Sequence, residues 1–127
     1  MPALSDYVLL EPYDRALHTL RAAIESAGLE IASEWDVSYD LRQDYGVVLA
    51  PCRILTVYNS LNLLQNMVMD SAYALSGQVA IAVCDAGARV QISVHGHQRE
   101  LLDLVVAALR HSGARQLAPV TAPANAA

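Results

Sequence analysis

The feature that most constrains this fold is a pair of alternating apolar segments towards the C-terminal end of the chain. Residues 78–84 carry a β-branched residue at every second position, and residues 88–94 repeat the pattern. Asp85-Ala86-Gly87 joins them, with the length and composition of a hairpin loop. Because a period of two marks a strand with one buried face, the chain is expected to build a sheet against a core.

Three other segments show the periodicity of helices. The first follows Pro12, carries apolar residues three and four positions apart up to Ile24, and ends at Gly28. A second helix is predicted over residues 61–74 and a last one over about residues 97–112. The middle helix is apolar on more than one side, which fits either a helix wedged between two elements or a partner interface.

Three more strands complete the predicted architecture. They cover residues 7–10, 29–37 and 52–58, with a short helical turn or loop over residues 39–45. In residues 29–37 the apolar residues alternate with acidic ones, which predicts one apolar and one acidic face. The order β-α-β-β-α-β-β-α predicts an α+β fold: a mixed, mostly antiparallel sheet of about five strands with helices on one face.

The size and composition of the chain fit one domain. Its 127 residues are 54% hydrophobic, which is enough for one core of this size. The single α+β domain is expected over residues 1–112. The Ala/Pro-rich segment 113–127 has no periodicity and is expected to be a disordered tail.

The charge pattern disfavours two classes of partner. The formal net charge is −5, and the eight basic residues are all arginines that lie singly along the chain, unlike the basic stripe of a nucleic-acid-binding protein. No stretch approaches the roughly 18–20 apolar residues that span a bilayer, and the N-terminus lacks the pattern of a secretory signal. We therefore expect a cytoplasmic protein that binds neither nucleic acid nor membrane.

Motifs for metal, cofactor or nucleophilic chemistry are weak. Cys52 and Cys84 are not at CxxC spacing and are expected to be reduced, buried thiols; their role stays open. His95 and His97 would share a strand face near Cys84, but Gly96 interrupts the strand and no third ligand is evident. The sequence holds no Gly-x-Ser-x-Gly elbow and no Gly-rich phosphate loop, so we predict no metal and no cofactor.

A longer succession of residues carries a family resemblance. It consists of Gly28, Glu34-Trp35-Asp36-Val37, Gly46 and the run Arg53-Ile54-Leu55-Thr56-Val57-Tyr58-Asn59-Ser60. This succession resembles the bacterial domain of unknown function 302 family, whose members typically read "E-x-D-V", a glycine, and then "R-I-L-x-x-C-N-P" entering a helix. The resemblance covers roughly residues 7–94. It implies the α+β fold, a homodimer, and a family without an agreed activity.

This sequence departs from the family pattern at both of the family's cysteines. The "C-N-P" motif reads Tyr58-Asn59-Ser60 here, and a later "L-P-C" reads Leu75-Ser76-Gly77. Any thiol chemistry of the relatives therefore does not transfer to this chain. The matched polar positions are Glu34, Asp36, Arg53 and Asn59.

These polar positions, with Tyr58, are the candidate ligand-binding residues. Glu34 and Asp36 lie two apart on a strand, so their carboxylates share a face about 7 Å apart and can meet Arg53 on a neighbouring strand. That arrangement fits a ligand site, but also an ordinary solvated acidic face with an ion pair. Asn59 fits a ligand contact or simply the N-cap of the following helix.

Two functions remain open from the sequence. The first is a dimeric, non-catalytic ligand-binding or accessory module that holds a small, partly apolar molecule or a partner in a groove between sheet and helix. The alternative is a small enzyme without a cofactor, of isomerase or cyclase type. In that enzyme Glu34 or Asp36 would act as acid or base, while Tyr58 and Arg53 orient the substrate.

Overall fold

The computed structural model describes residues 3–117, with side chains from residue 6 onward. In chain order its elements are β1 (Ala3–Leu9), α1 (Tyr13–Ser26), β2 (Glu30–Asp36), α2 (Val37–Tyr45), β3 (Cys52–Tyr58), α3 (Ser60–Met69), α4 (Tyr73–Ser76), β4 (Val79–Asp85), β5 (Val90–Gly96), α5 (Arg99–His111) and β6 (Arg115–Gln116). No helix in this part of the chain combines the length and the apolar character needed to cross a membrane.

The strands form one sheet in the order β2-β3-β4-β5-β1-β6, and every neighbouring pair is antiparallel. The α+β class is therefore confirmed, with six strands where about five were expected. The sixth, β6, lies within the segment 113–127 that we expected to be a disordered tail, and it pairs with β1. The sheet thus extends to residue 116, and residues 118–127 lie outside the described part of the chain.

The core lies between one face of the sheet and the two long helices. In β5 every second residue is buried, and in β4 every second residue from Val79 to Val83 is, as the alternation predicted. In β3, Leu55 and Val57 are fully buried on the same face. Helix α1 buries Leu17, Leu20 and Ile24 against this face. Helix α5 packs beside α1 through a stripe that includes Val105 and Leu109. These two amphipathic helices close the core, as their spacing indicated.

The predicted helix over residues 61–74 is two helices, α3 and α4. Asp70 adopts an extended conformation with φ −153° and ψ 106°, and its carboxylate accepts a hydrogen bond from the Ala72 amide at 3.0 Å. An Asp side chain that bonds the backbone two residues on offers an alternative to the helical hydrogen bond. Because the apolar periodicity continues past Asp70, the sequence pattern did not indicate that the helix ends there.

An irregularity in β2 overturns the predicted division of its faces. Ile31 lies opposite Val57, but the register then shifts, so Glu34 lies opposite Leu55 and Trp35 opposite Ile54. Such a bulge moves the following side chains to the other face. Glu34 therefore points to the helix-covered face, and Trp35, expected on the buried side, is 52% exposed.

Candidate functional site

Four charged side chains meet where α1, β2 and β3 come together. Arg21 of α1 donates two hydrogen bonds to the Glu34 carboxylate, from Nε at 2.8 Å and from Nη2 at 2.6 Å. Arg53 of β3 reaches the same carboxylate at 3.4 Å and Asp36 at 3.3 Å. The structure therefore brings together Glu34, Asp36 and Arg53, and it adds Arg21, which the sequence analysis did not single out. We call these four residues the charge cluster.

Asp36 also organises the start of α2. Its Oδ1 accepts hydrogen bonds from the Tyr39 amide and the Ser38 hydroxyl, both at 2.9 Å. The Ser38 Oγ in turn accepts a hydrogen bond from the Cys52 amide at 3.1 Å. Asp36 is thus the N-cap of α2 as well as an ionic partner of Arg53, and Ser38 ties α2 to the start of β3.

The arginines and the capping contacts hold both carboxylates in the ionised form. Hydrogen bonding from Arg21 is the largest influence on the pKa of Glu34, which is lowered although partial burial opposes the shift. The Tyr39 amide and the Ser38 hydroxyl are the main groups that lower the pKa of Asp36. At neutral pH both carboxylates are therefore negative and are compensated by Arg21 and Arg53.

Tyr13 brings an unsatisfied hydroxyl to the same corner. Within the described residues, the Tyr13 hydroxyl oxygen and Arg53 Nε are buried polar atoms without a hydrogen-bond partner. Burial raises the pKa of Tyr13, the positive charge of Arg53 opposes this rise, and the negative charge of Asp36 adds to it. The position of Tyr13 in the apolar stripe of α1 did not indicate that its hydroxyl lies buried at this corner.

Tyr58 and Asn59 lie at the opposite end of β3 from Arg53, about 16–20 Å away at the usual rise of a strand. Tyr58 pairs across the ladder with Glu30, and a hydrogen bond with that carboxylate raises the pKa of Tyr58. Asn59 Oδ1 accepts a hydrogen bond from the Asn62 amide at 2.9 Å and so caps α3. The five predicted residues therefore occupy two places and do not form one site.

Asn59 borders a groove between α3 and α5 that the sequence analysis did not find. One part, of about 190 Å³, lies between Asn59, Leu61 and Leu104. A second part, of about 320 Å³, is lined by polar residues of α3, α4 and the start of α5. The two parts share Asn62 and Glu100, so we treat them as one α3–α5 groove.

The two cysteines lie directly opposite each other on β3 and β4. Both thiols are free and partly exposed. The rings of His95 and His97 are in edge contact, with centroids 5.6 Å apart. Within residues 3–117 no three His, Cys, Asp or Glu side chains are grouped closely enough to hold a metal ion.

Comparison with known proteins gives a structural neighbour but no sequence match. No protein-family model matches the chain, and no curated protein does. A solved structure described as "uncharacterized conserved protein DUF302 from Bacillus stearothermophilus" superposes with a TM-score of 0.60 and 13% sequence identity, covering 88% of this chain and 90% of that one. DUF302 abbreviates the domain of unknown function 302. The chain therefore has a DUF302-like fold, in agreement with the resemblance carried by its motifs.

Proposed function

We propose that this protein is a non-catalytic binding module that holds a small, partly apolar molecule in the α3–α5 groove and acts as a homodimer. The observation that carries this proposal is the division of the groove into an apolar end and a polar end. Together the two parts fall within the roughly 300–1,000 Å³ that small-molecule sites occupy.

The apolar surface of this end comes from three leucines, which lie among the polar residues Asn59, Asn62, Gln65 and Glu100. Leu101 is fully buried and forms the floor, while Leu61 and Leu104 are exposed at the sides. A ligand that covers these two side chains gains about 25 cal/mol for each Å² of apolar surface removed from water. This end therefore favours the hydrocarbon part of a ligand.

The polar end offers amides and a phenol to a ligand head group. Tyr73 donates a hydrogen bond to Asn62 Oδ1 at 2.9 Å, and Asn66 Nδ2 donates to the Asn62 carbonyl at 2.8 Å. These bonds fix the three side chains, while each amide retains further donor or acceptor capacity. Arg99 and Glu100 also border this end with opposite charges. A neutral, hydrogen-bonding head group fits this environment best.

The charge cluster supports a binding module over the alternative of an acid–base enzyme. A general base or acid works best with a pKa near the operating pH, which requires a raised carboxylate pKa. The pKa values of Glu34 and Asp36 are lowered instead, and both side chains are engaged by arginines. The cluster also lies at the far end of β3 from the groove.

A second copy of this chain is the partner that we propose for the exposed side of α3. Leu61, Leu64, Val68 and Met69 are all more than half exposed, and we call them the α3 apolar strip. Side chains of this kind expose on the order of 100 Å² each, so the strip offers roughly 400 Å² of apolar surface, as large as the main patch of an ordinary monomer. With a polar rim this approaches the roughly 800 Å² that one protomer buries in a standard interface.

The groove is tested by native mass spectrometry of the full chain purified from its producing cell without detergent. We expect a retained small molecule on the wild-type protein and its loss from Leu104→Trp, because the indole fills the apolar end. Leu117→Trp is the matched control, since Leu117 is 40% exposed, Leu104 is 42% exposed, and Leu117 lies beyond the other end of α5.

A second readout covers the case in which the ligand is lost during purification. Anilinonaphthalene sulfonate, an amphipathic fluorescent probe, is expected to bind the wild-type protein and Leu117→Trp several-fold more tightly than Leu104→Trp. Equal probe binding by all three proteins, together with no retained mass on any of them, would contradict the proposed groove.

A further inference from the structure

Cys52 and Cys84 occupy a position in the sheet where two thiols can join. Cys52 is the first residue of β3, and Cys84 is its direct partner on β4. Residues opposite each other in an antiparallel ladder project from the same face. Their strand neighbours Arg53 and Val83 project from the helix-covered face, so the two thiols share the other face of the sheet.

The hydrogen-bond pattern defines how close the two backbones are. The Asp85 amide donates to the Pro51 carbonyl at 2.8 Å, so Pro51 and Asp85 form the hydrogen-bonded pair beside the cysteines. Pairs alternate along an antiparallel ladder, and the Cys52–Cys84 pair is therefore of the non-hydrogen-bonded kind. Such pairs hold their Cα atoms about 4.5 Å apart, which is within the roughly 4.4–6.8 Å that disulfides span.

From this placement we infer that Cys52 and Cys84 are a modification site, at which a low-molecular-weight disulfide converts the two thiols into a reversible cross-strand disulfide. Both side chains are partly exposed, so a small oxidant can reach them. The inference is independent of the proposed groove, because neither cysteine borders the groove.

The exchange proceeds in two balanced steps. The thiolate of Cys84 attacks one sulfur of the small disulfide, whose S–S bond breaks, and the released thiolate takes a proton from water. The Cys52 thiol then gives its proton to solvent and attacks Cys84 Sγ, and the second small thiolate leaves. The two protein thiols are oxidised by two electrons, and the small disulfide is reduced to two thiols.

The environment of Cys52 determines this order of attack. Burial, followed by interaction with the Cys84 thiol, raises the pKa of Cys52 to about 12. Asp36 adds to this rise through its negative charge. Because the thiolate is the nucleophile, Cys52 is poorly suited to make the first attack on a dissolved disulfide. Its role is the second attack, in which the target sulfur is already held beside it.

The test uses oxidised glutathione as the probe and the intact mass of the full chain as the readout. Reduced protein, freed of reductant, is incubated with the probe and then denatured in acid. We expect a loss of about 2 Da, no retained glutathione, a bridged peptide pair containing both cysteines, and full reversal by dithiothreitol. Cys52→Ser is expected to stop at a mixed disulfide that retains one glutathione, because no second thiol can displace it.

A matched control moves one thiol along the same face of β4. Ala82→Cys combined with Cys84→Ser places the second thiol diagonally from Cys52 on the same face of the sheet. The Cα atoms of such a diagonal pair are about 7–8 Å apart, which is too far for a disulfide. This variant is expected to keep glutathione bound and not to lose 2 Da. The inference is refuted if folded wild-type protein keeps two free thiols, or stays glutathionylated, under conditions in which the urea-unfolded chain forms the disulfide.

Discussion

Removal of the unsatisfied Tyr13 hydroxyl, a polar group beside the charge cluster, should stabilise the protein. On folding, this hydroxyl leaves water and gains no hydrogen-bond partner among residues 3–117. Tyr13→Phe deletes only the oxygen, and the ring retains its packing against the core. We therefore expect the variant to be more stable than the wild-type protein.

The magnitude follows from the cost of burying a polar group. A hydroxyl buried without a hydrogen bond costs about 1–3 kcal/mol in proteins, and we take the lower end of this range for Tyr13. We expect the free energy of unfolding to rise by about 1 kcal/mol at pH 7. For a domain of this size, that corresponds to an increase in Tm of about 4 °C.

The pH dependence supplies an independent check of the same idea. Burial raises the pKa of Tyr13, so the folded protein holds the phenol proton to a higher pH than the unfolded chain, where the pKa is about 10. The wild-type protein therefore loses stability as the pH rises above about 10, and Tyr13→Phe lacks this loss. The stability gap between the two proteins should widen between pH 9 and pH 11.

Equilibrium unfolding in urea, with both proteins analysed at a shared m-value, measures these differences. Tyr45→Phe is the control, because Tyr45 is largely exposed and its hydroxyl keeps its water; we expect a change of less than about 0.5 kcal/mol. If Tyr13→Phe is destabilised by more than that amount, the Tyr13 hydroxyl makes a hydrogen bond in solution and the reasoning fails.

Two further predictions concern the α3 apolar strip and the charge cluster. Leu64→Asp should convert a dimer to a monomer in size-exclusion chromatography with light scattering. Leu10→Asp is the control and should remain a dimer, because Leu10 is equally exposed (62% against 63%) but lies outside the strip. A monomeric wild-type protein would contradict the proposed dimer. Asp36→Asn keeps the side-chain oxygen that caps α2 but loses the ion pair with Arg53. Since the Asp36 side chain is 40% exposed, we expect the free energy of unfolding to fall by only about 0.5 kcal/mol at pH 7. The pKa of Asp36 is lowered in the folded state, so the stability that the ion pair contributes is present above the unfolded pKa of about 3.9 and disappears as the pH falls through the folded pKa. A stability difference between the wild-type protein and Asp36→Asn that persists in urea titrations near pH 2 would contradict this assignment.

Local chemistry explains the parts of the fold that the sequence predicted well. Helix α1 begins directly after Pro12, whose fixed φ suits a helix start, and it is followed by Gly28 at φ 77°, where a side chain would be strained. The β4–β5 hairpin has a strict period of two and a short loop with Gly87 at φ 94°. In these segments the sequence pattern that predicts the element and the contacts that form it involve the same few neighbouring residues.

The parts that the sequence missed depend on residues far apart in the chain. The bulge in β2 has no glycine or proline to mark it, and it is defined only by pairing with β3. The Cys52–Cys84 pair likewise could not be read from neighbouring residues. It depends on the register between β3 and β4, which are separated in the chain by two helices. The sequence therefore indicated Glu34, Asp36 and Arg53 as neighbours, but not Arg21 or Tyr13, whose positions depend on how α1 packs on the sheet.

The position of β1 also governs when this molecule can finish folding. Strand β1 is inserted between β5 and β6, which follow it in the chain only after β2, β3 and β4. During translation β1 therefore lacks both lateral neighbours until the segments that form β5 and β6 have left the ribosome. Pairings between such distant segments delay folding and leave strand edges open to other chains. A circular permutant that begins after β3 and links the old termini would bring β1 close to β5 in sequence, and we expect it to fold faster than the natural order.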